Sequence, residues 1–238
     1  MRYKELVESI EDKGILKAMF FAGLPGAGKS SVAKRITNGS VAPRHINTDR
    51  SYEFLLNKYG NDANPVAWSI LGQSAKAINT AALTNYLNSM LPLFVDGTSS
   101  NPNAAVRRAG LAESLGYDTM MVWVNIEFET ALQRVQQRER KVSVDFIKKV
   151  YDLAAGNKEL YRNRFGENFI EVDNNADNFD VMEMRVFTAS NKFFNSPVQN
   201  QIGARLIKQM SETGDKYLTP TVYTKEYLDK VVSVWYMK

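Results

Sequence analysis

An α/β fold, with a parallel sheet covered by helices on both faces and a helical C-terminal extension, is predicted by three features of the chain. Short apolar runs alternate with helix-patterned stretches from about residue 17 to residue 175. A glycine-rich loop separates the first apolar run from the first helix. From about Ala176 onward the pattern turns mainly helical, without a convincing strand. The expected division is therefore a core of residues 1–175 and an extension of residues 176–238.

The elements follow in order. Lys17 to Ala22 is apolar and suits a buried strand, and Ser31 to Ile36 has helix-forming character. Between them, "GLPGAGKS" (Gly23 to Ser30) fits G-x-x-x-x-G-K-[ST]. "RHINTDR" reads as a short strand ending at Asp49, and "YEFLLNKYG" as a short helix closed by Gly60. A long helix is expected after Pro65, then the apolar strand of "LPLFVDGTSSNP", opening into a polar loop, and a helix from Pro102. "DTMMVWVNI" is a strand, "EFETALQRVQQRER" and "VSVDFIKKVYDLAAGNKELY" are helices, and "NFIEVDN" is a last short strand. Such alternation places ligands at the carboxyl ends of the strands.

Composition narrows the chemistry. The chain of 238 residues is 44% hydrophobic, enough for one sizeable core. It has no cysteine and a single histidine, His45, so disulfides, thiolate metal sites and histidine clusters are excluded. The N-terminus is too charged for a signal peptide, and no apolar run reaches the roughly 18 residues of a membrane span, so a cytoplasmic protein with no membrane partner is expected. A net charge of +4 is compatible with a polyanionic partner without requiring one. In the extension, basic and acidic residues nearly balance, and aromatics such as Phe193, Phe194 and Trp235 are expected to pack on the core.

The loop carries the clearest chemistry. Gly23, Gly26 and Gly28 let backbone N–H groups turn toward phosphate oxygens, with Ala27 and Ser31 among the expected nucleotide contacts. Lys29 reaches the outer phosphates, and the Ser30 hydroxyl suits a magnesium ion, so ATP and Mg2+ are the expected ligands. Neither a guanine-reading N-K-x-D segment nor an apolar strand ending in Asp-Glu is present. Instead "INTDR" offers Asp49, either as the base that orients an acceptor hydroxyl or as a helix N-cap. Asp96 ends an apolar strand beside the loop, where a carboxylate holds magnesium-bound water or positions the acceptor, with Thr98 close by. Arg134 and Arg138 stand four apart on a helix, either as a lid closing over ATP or as a solvated basic face.

"GLPGAGKS", "INTDR", "VDGTSSNP" and the arginine segment before "VSVDFIKKVY" occur in the order found in the phage-type polynucleotide kinases and the zeta-toxin-like kinases, which the chain resembles over about residues 17–175. The resemblance implies a P-loop kinase-type sheet and an ATP-dependent phosphotransferase acting on an alcohol group. It further implies Lys29 and Ser30 on phosphates and magnesium, Asp49 as general base, Asp96 near the acceptor, and Arg138 as the lid arginine. Kinases of 5′ ends in this group carry an arginine three residues after the base; here the position is Tyr52, which offers a face for stacking a base unless it packs with Leu55 and Leu56. The resemblance thus favours a nucleic-acid acceptor, either a base hydroxymethyl group such as 5-hydroxymethyluracil in DNA, phosphorylated by phage relatives, or a 5′-hydroxyl end. A sugar-nucleotide, nucleoside or nucleotide kinase and a non-catalytic nucleotide-dependent binding module are the alternatives.

Overall fold

The computed structural model describes residues 9–36, 41–59, 65–97, 100–137, 143–175, 179–213 and 223–237. Five strands, β1 (Lys17–Gly23), β2 (Arg44–Ile46), β3 (Leu93–Asp96), β4 (Asp118–Asn125) and β5 (Phe169–Asp173), form one sheet in the order β2-β3-β1-β4-β5, parallel at every pairing. The helices are α1 (Lys29–Ile36), α2 (Thr48–Tyr59), α3 (Pro65–Asn88), α4 (Pro102–Ser114), α5 (Phe128–Gln136), α6 (Val144–Phe165), α7 (Phe179–Asn195), α8 (Gln201–Thr213) and α9 (Lys225–Trp235). The α/β fold and the helical C-terminal part are those predicted from the sequence.

The sheet is buried on both faces, and the strand period of two sorts its side chains. Ala18, Phe20 and Ala22 of β1 join Met121 and Trp123 of β4 in one cluster, which α3, α4, α6 and α9 complete with Leu83, Ala109, Tyr161 and Trp235. Met19 and Phe21 face the other way, with Val122 and Val124, onto Val32 and Ala33 of α1, Ala131 of α5 and Phe193 and Phe194 of α7. Phe193, Phe194 and Trp235 therefore pack into the core, as expected, and they do so on both sheet faces, whereas Phe187 and Tyr227 are exposed. A third, small cluster joins Tyr52, Leu55 and Leu56 of α2 to Ala75 of α3.

One boundary differs from the sequence reading. β2 stops at Ile46 and α2 begins at Thr48, so Asp49 lies in the first helical turn and does not end a strand. The reason is local: Asn47 Oδ1 accepts the Asp49 backbone N–H at 2.8 Å, so Asn47 takes the capping position that was open to Asp49. Gly60, proposed to close α2, lies outside the described residues.

Candidate active site

The loop after β1 has the backbone that its glycines predict. Gly23, Gly26 and Gly28 adopt φ of 145°, 88° and 84°. A Cβ at Gly23 or Gly26 would stand 2.5 Å from the carbonyl oxygen of Val124 or Ala131, and one at Gly28 would collide with the Asn174 side-chain amide. These positions combine left-handed backbone with closed packing, leaving main-chain groups alone to line the concave side. Ala27 is fully buried, and its amide donates to Leu24 O at 3.1 Å. Lys29 Nζ donates to the Gly23 and Leu24 carbonyls, both at 2.9 Å, spanning the mouth of the loop. Ser30 is exposed at the start of α1, while the Ser31 amide donates to Gly28 O at 2.9 Å. The cradle fits a nucleoside triphosphate.

Asn174 supports this loop from beyond β5 and was not identified from sequence. It is 6% exposed, its Nδ2 donates to Ala27 O at 2.6 Å, and its own carbonyl accepts an N–H from Arg134 at 3.1 Å. Arg134 is thereby tied to the rim of the nucleotide site at the end of α5. Arg138 and Thr98 lie outside the described residues.

The strand register brings a second group to the loop. Phe21 pairs with Asp96 across β1 and β3, and Ile46 pairs with Val95 across β2 and β3, so Asn47 leaves β2 beside Asp96. Asn47 Nδ2 donates to Asp96 Oδ2 at 2.8 Å while its Oδ1 holds the Asp49 amide, so one side chain ties both carboxylate-bearing segments together. Asp96 Oδ1 is buried with no hydrogen-bond partner in the structure. Burial drives the Asp96 carboxyl above its ordinary pKa; the Lys29 ammonium opposes this, Asp49 adds to it, and His45 and the Asn47 amide oppose it. Asp96 is thus close enough to both Lys29 and Asp49 to feel their charges. His45, edge-on to Phe94 at 5.2 Å between ring centroids, is held below its usual pKa, first by burial and then by Arg50.

Tyr52 is corrected by the structure. It is 2% exposed within the α2–α3 cluster, so its ring presents no face to a base. The amphipathic period that puts Leu55 and Leu56 against α3 carries Tyr52, three and four residues earlier, to the same side.

A cleft of about 470 Å³ opens next to Asp96 and Gly97, bounded by Ser100, Asn101, Arg108 and Tyr236. Arg108 and Tyr236 belong to α4 and to the end of α9; neither carried a signal in the sequence, since nothing local connects them. Among the described residues no group of three or more His, Cys, Asp or Glu side chains gathers, and no helix is long and apolar enough to cross a membrane.

Comparison with solved structures agrees with this architecture. A candidate kinase from Chloroflexus aurantiacus superposes with a TM-score of 0.57 at 11% identity, over 75% of this chain and 98% of its own. A chain from the Pnkp1/Rnl/Hen1 RNA repair complex gives 0.50 at 17% identity, over 63% of this chain and 47% of the other, so the present protein spans about half of that relative. At these identities the likeness is one of fold. No curated protein matches the chain. Residues 19–156, more than half of the sequence and including the glycine loop, Asp49 and Asp96, match the family described as AAA domain, and the chain belongs to that family of P-loop proteins.

Proposed function

We propose that the protein is an ATP-dependent kinase that transfers the terminal phosphoryl group to a hydroxyl of a nucleic acid or nucleotide. The observation that carries this reading is the buried Asp96 at the carboxyl end of β3, whose Oδ1 has no partner and whose carboxyl feels the charges of both Lys29 and Asp49. The glycine loop and the first amides of α1 would hold the phosphates, with Lys29 neutralising the outer ones. Ser30 and Asp96 are the side chains suited to magnesium and its water; the ion, when bound, offsets phosphate charge. Asp49 would accept the acceptor's proton while the hydroxyl oxygen bonds to the terminal phosphorus and the bond to the bridging oxygen breaks, giving a phosphate ester and ADP. Arg134, held by the Asn174 carbonyl, would face the nucleotide, and Arg138 would complete the lid.

The order of motifs and the net charge of +4 support a nucleic-acid acceptor. Burial of Tyr52 withdraws the residue on which a preference for a base hydroxymethyl group rested, so that group and a 5′-hydroxyl enter the test on equal terms. The bounded cleft of about 470 Å³ favours a second reading, a kinase of free nucleotides or sugar nucleotides.

The test is transfer from labelled ATP to 5′-hydroxyl DNA, 5-hydroxymethyluracil DNA, nucleosides, nucleotides and sugar nucleotides. One acceptor should become labelled, with Asp49→Asn slowing turnover by about 100-fold or more at nearly unchanged ATP affinity. Lys29→Ala should abolish transfer in a protein that stays folded. Binding of ATP without transfer to any acceptor would sink the kinase reading in favour of a nucleotide-dependent binding module.

A further inference from the structure

We propose that Arg108 and Tyr236 form an anion-binding subsite in the cleft that Asp96 also lines, and that it holds the phosphate of a nucleotide unit whose hydroxyl faces Asp96. The naming of this ligand as the acceptor rests on the kinase reading above; the subsite itself rests on the following geometry.

Arg107 and Arg108 leave α4 toward the end of α9. Arg107 is spent on that helix, donating to Val234 O at 3.2 Å and to Met237 O. Among the described residues Arg108 commits only its Nε, to Trp235 O at 3.0 Å, and the residue lines the cleft. Among the described residues no carboxylate pairs with it, although it is half-buried and burial lowers its pKa. A guanidinium in that setting has a desolvation cost and no counter-charge, which a bound anion would supply through its remaining N–H groups.

The second observation is Tyr236, whose hydroxyl is buried in the same place without a hydrogen-bond partner. Burial pushes its pKa up to about 12, so it remains a donor at neutral pH. Asp96 lines the same cleft, and its Oδ1 is a buried acceptor without a donor. One cleft thus combines an acceptor suited to a hydroxyl with two donors suited to an anion, with room for about one nucleotide. Tyr236 lies outside residues 19–156, so the subsite joins the family domain to a helix that follows it.

The experiment uses the full chain saturated with magnesium and a non-hydrolysable ATP analogue, and measures calorimetric binding of thymidine and thymidine 3′-monophosphate. The monophosphate should bind about 10- to 100-fold more tightly, the range of a charge-assisted hydrogen-bond pair. Arg108→Gln, which keeps a donor for Trp235 O, should erase that difference and leave ATP-analogue affinity unchanged. Tyr236→Phe, which removes one hydroxyl, should reduce it by about 3- to 10-fold. Competition by a 5′-hydroxyl oligonucleotide would assign the phosphate to a strand, and its absence to a free nucleotide. Equal affinity for the two probes in the unaltered protein would overturn the subsite, as would an Arg108→Gln variant that loses thermal stability but retains the preference. Because no turnover is read, failure of the kinase reading leaves this test intact.

Discussion

Asp96 shows how one side chain reports its surroundings. Its carboxyl has a pKa raised above the ordinary 3.8 of an unfolded chain, chiefly because burial penalises the charged form. A group of this kind holds its proton more tightly folded than unfolded, so stability falls as pH rises from the unfolded pKa through the folded one. Above the folded pKa the full cost of the buried charge is present. Asp96→Asn removes that cost, so the ligand-free variant should melt at a higher temperature than the parent at about pH 8. The gap should close as pH is lowered toward about 4. Thermal melts across that range check this, and a gap independent of pH would mean that Asp96 is not the titrating group.

Three helices begin in the same way, although they serve different ends. Asn101, Ser143 and Thr224 each stand in extended backbone before α4, α6 and α9, and each side chain accepts the amide of the residue three further on. The cap of α4 starts the helix that presents Arg108, and the cap of α9 starts the helix whose Leu228, Val231, Val232 and Trp235 enter the core. Thr224 is exposed and far along the chain from the glycine loop, so its loss should act on α9 alone. Thr224→Ala is expected to cost about 1 kcal/mol in urea unfolding, with ATP-analogue affinity unchanged. A cost below the error of that measurement would mean that tertiary packing alone sets the start of α9.

The molecule is held together at the edge opposite the site by a buried ion pair. Lys17 Nζ, 1% exposed at the start of β1, lies 2.7 Å from Asp118 at the start of β4. The same ammonium donates to Ser196 Oγ and Pro197 O and sits 5.1 Å from the Phe193 ring centroid. Asp118 also accepts the amides of Gln199 and Asn200, so the two side chains clamp the α7–α8 connection beneath the sheet. Gly203 of α8 seals the contact by meeting the Gly116 backbone where a Cβ could not fit. Lys17→Met should destabilise by about 3–5 kcal/mol, because it strands the Asp118 charge. Lys17→Met combined with Asp118→Asn should recover part of the loss, and urea unfolding of the two variants tests this. A single-variant cost under about 1 kcal/mol would show that the clamp depends on the backbone contacts alone.

The local periodicities and the spacing of Gly23, Gly26, Gly28 and Lys29 were enough to establish the alternating sheet and the phosphate cradle, because apolar alternation, loop glycines and caps act over a few residues. Asp96 was legible as a candidate because it follows a short apolar run, and Asp49 because it comes at the end of a short strand-like segment before a helix. Their relation was not legible, since it comes from the register of β2 on β3, which carries Asn47 to Asp96. Tyr52 illustrates the converse: its place in the motif order suited stacking and its spacing to Leu55 and Leu56 suited packing, and α3 decided between them by burying the face that the three share. Arg108, Asn174 and Tyr236 meet the site through contacts distant in the chain, as between Asn174 and Ala27 or Arg108 and Trp235. Such pairs leave no mark on local sequence, because what brings them together is the closing of one core around both faces of the sheet.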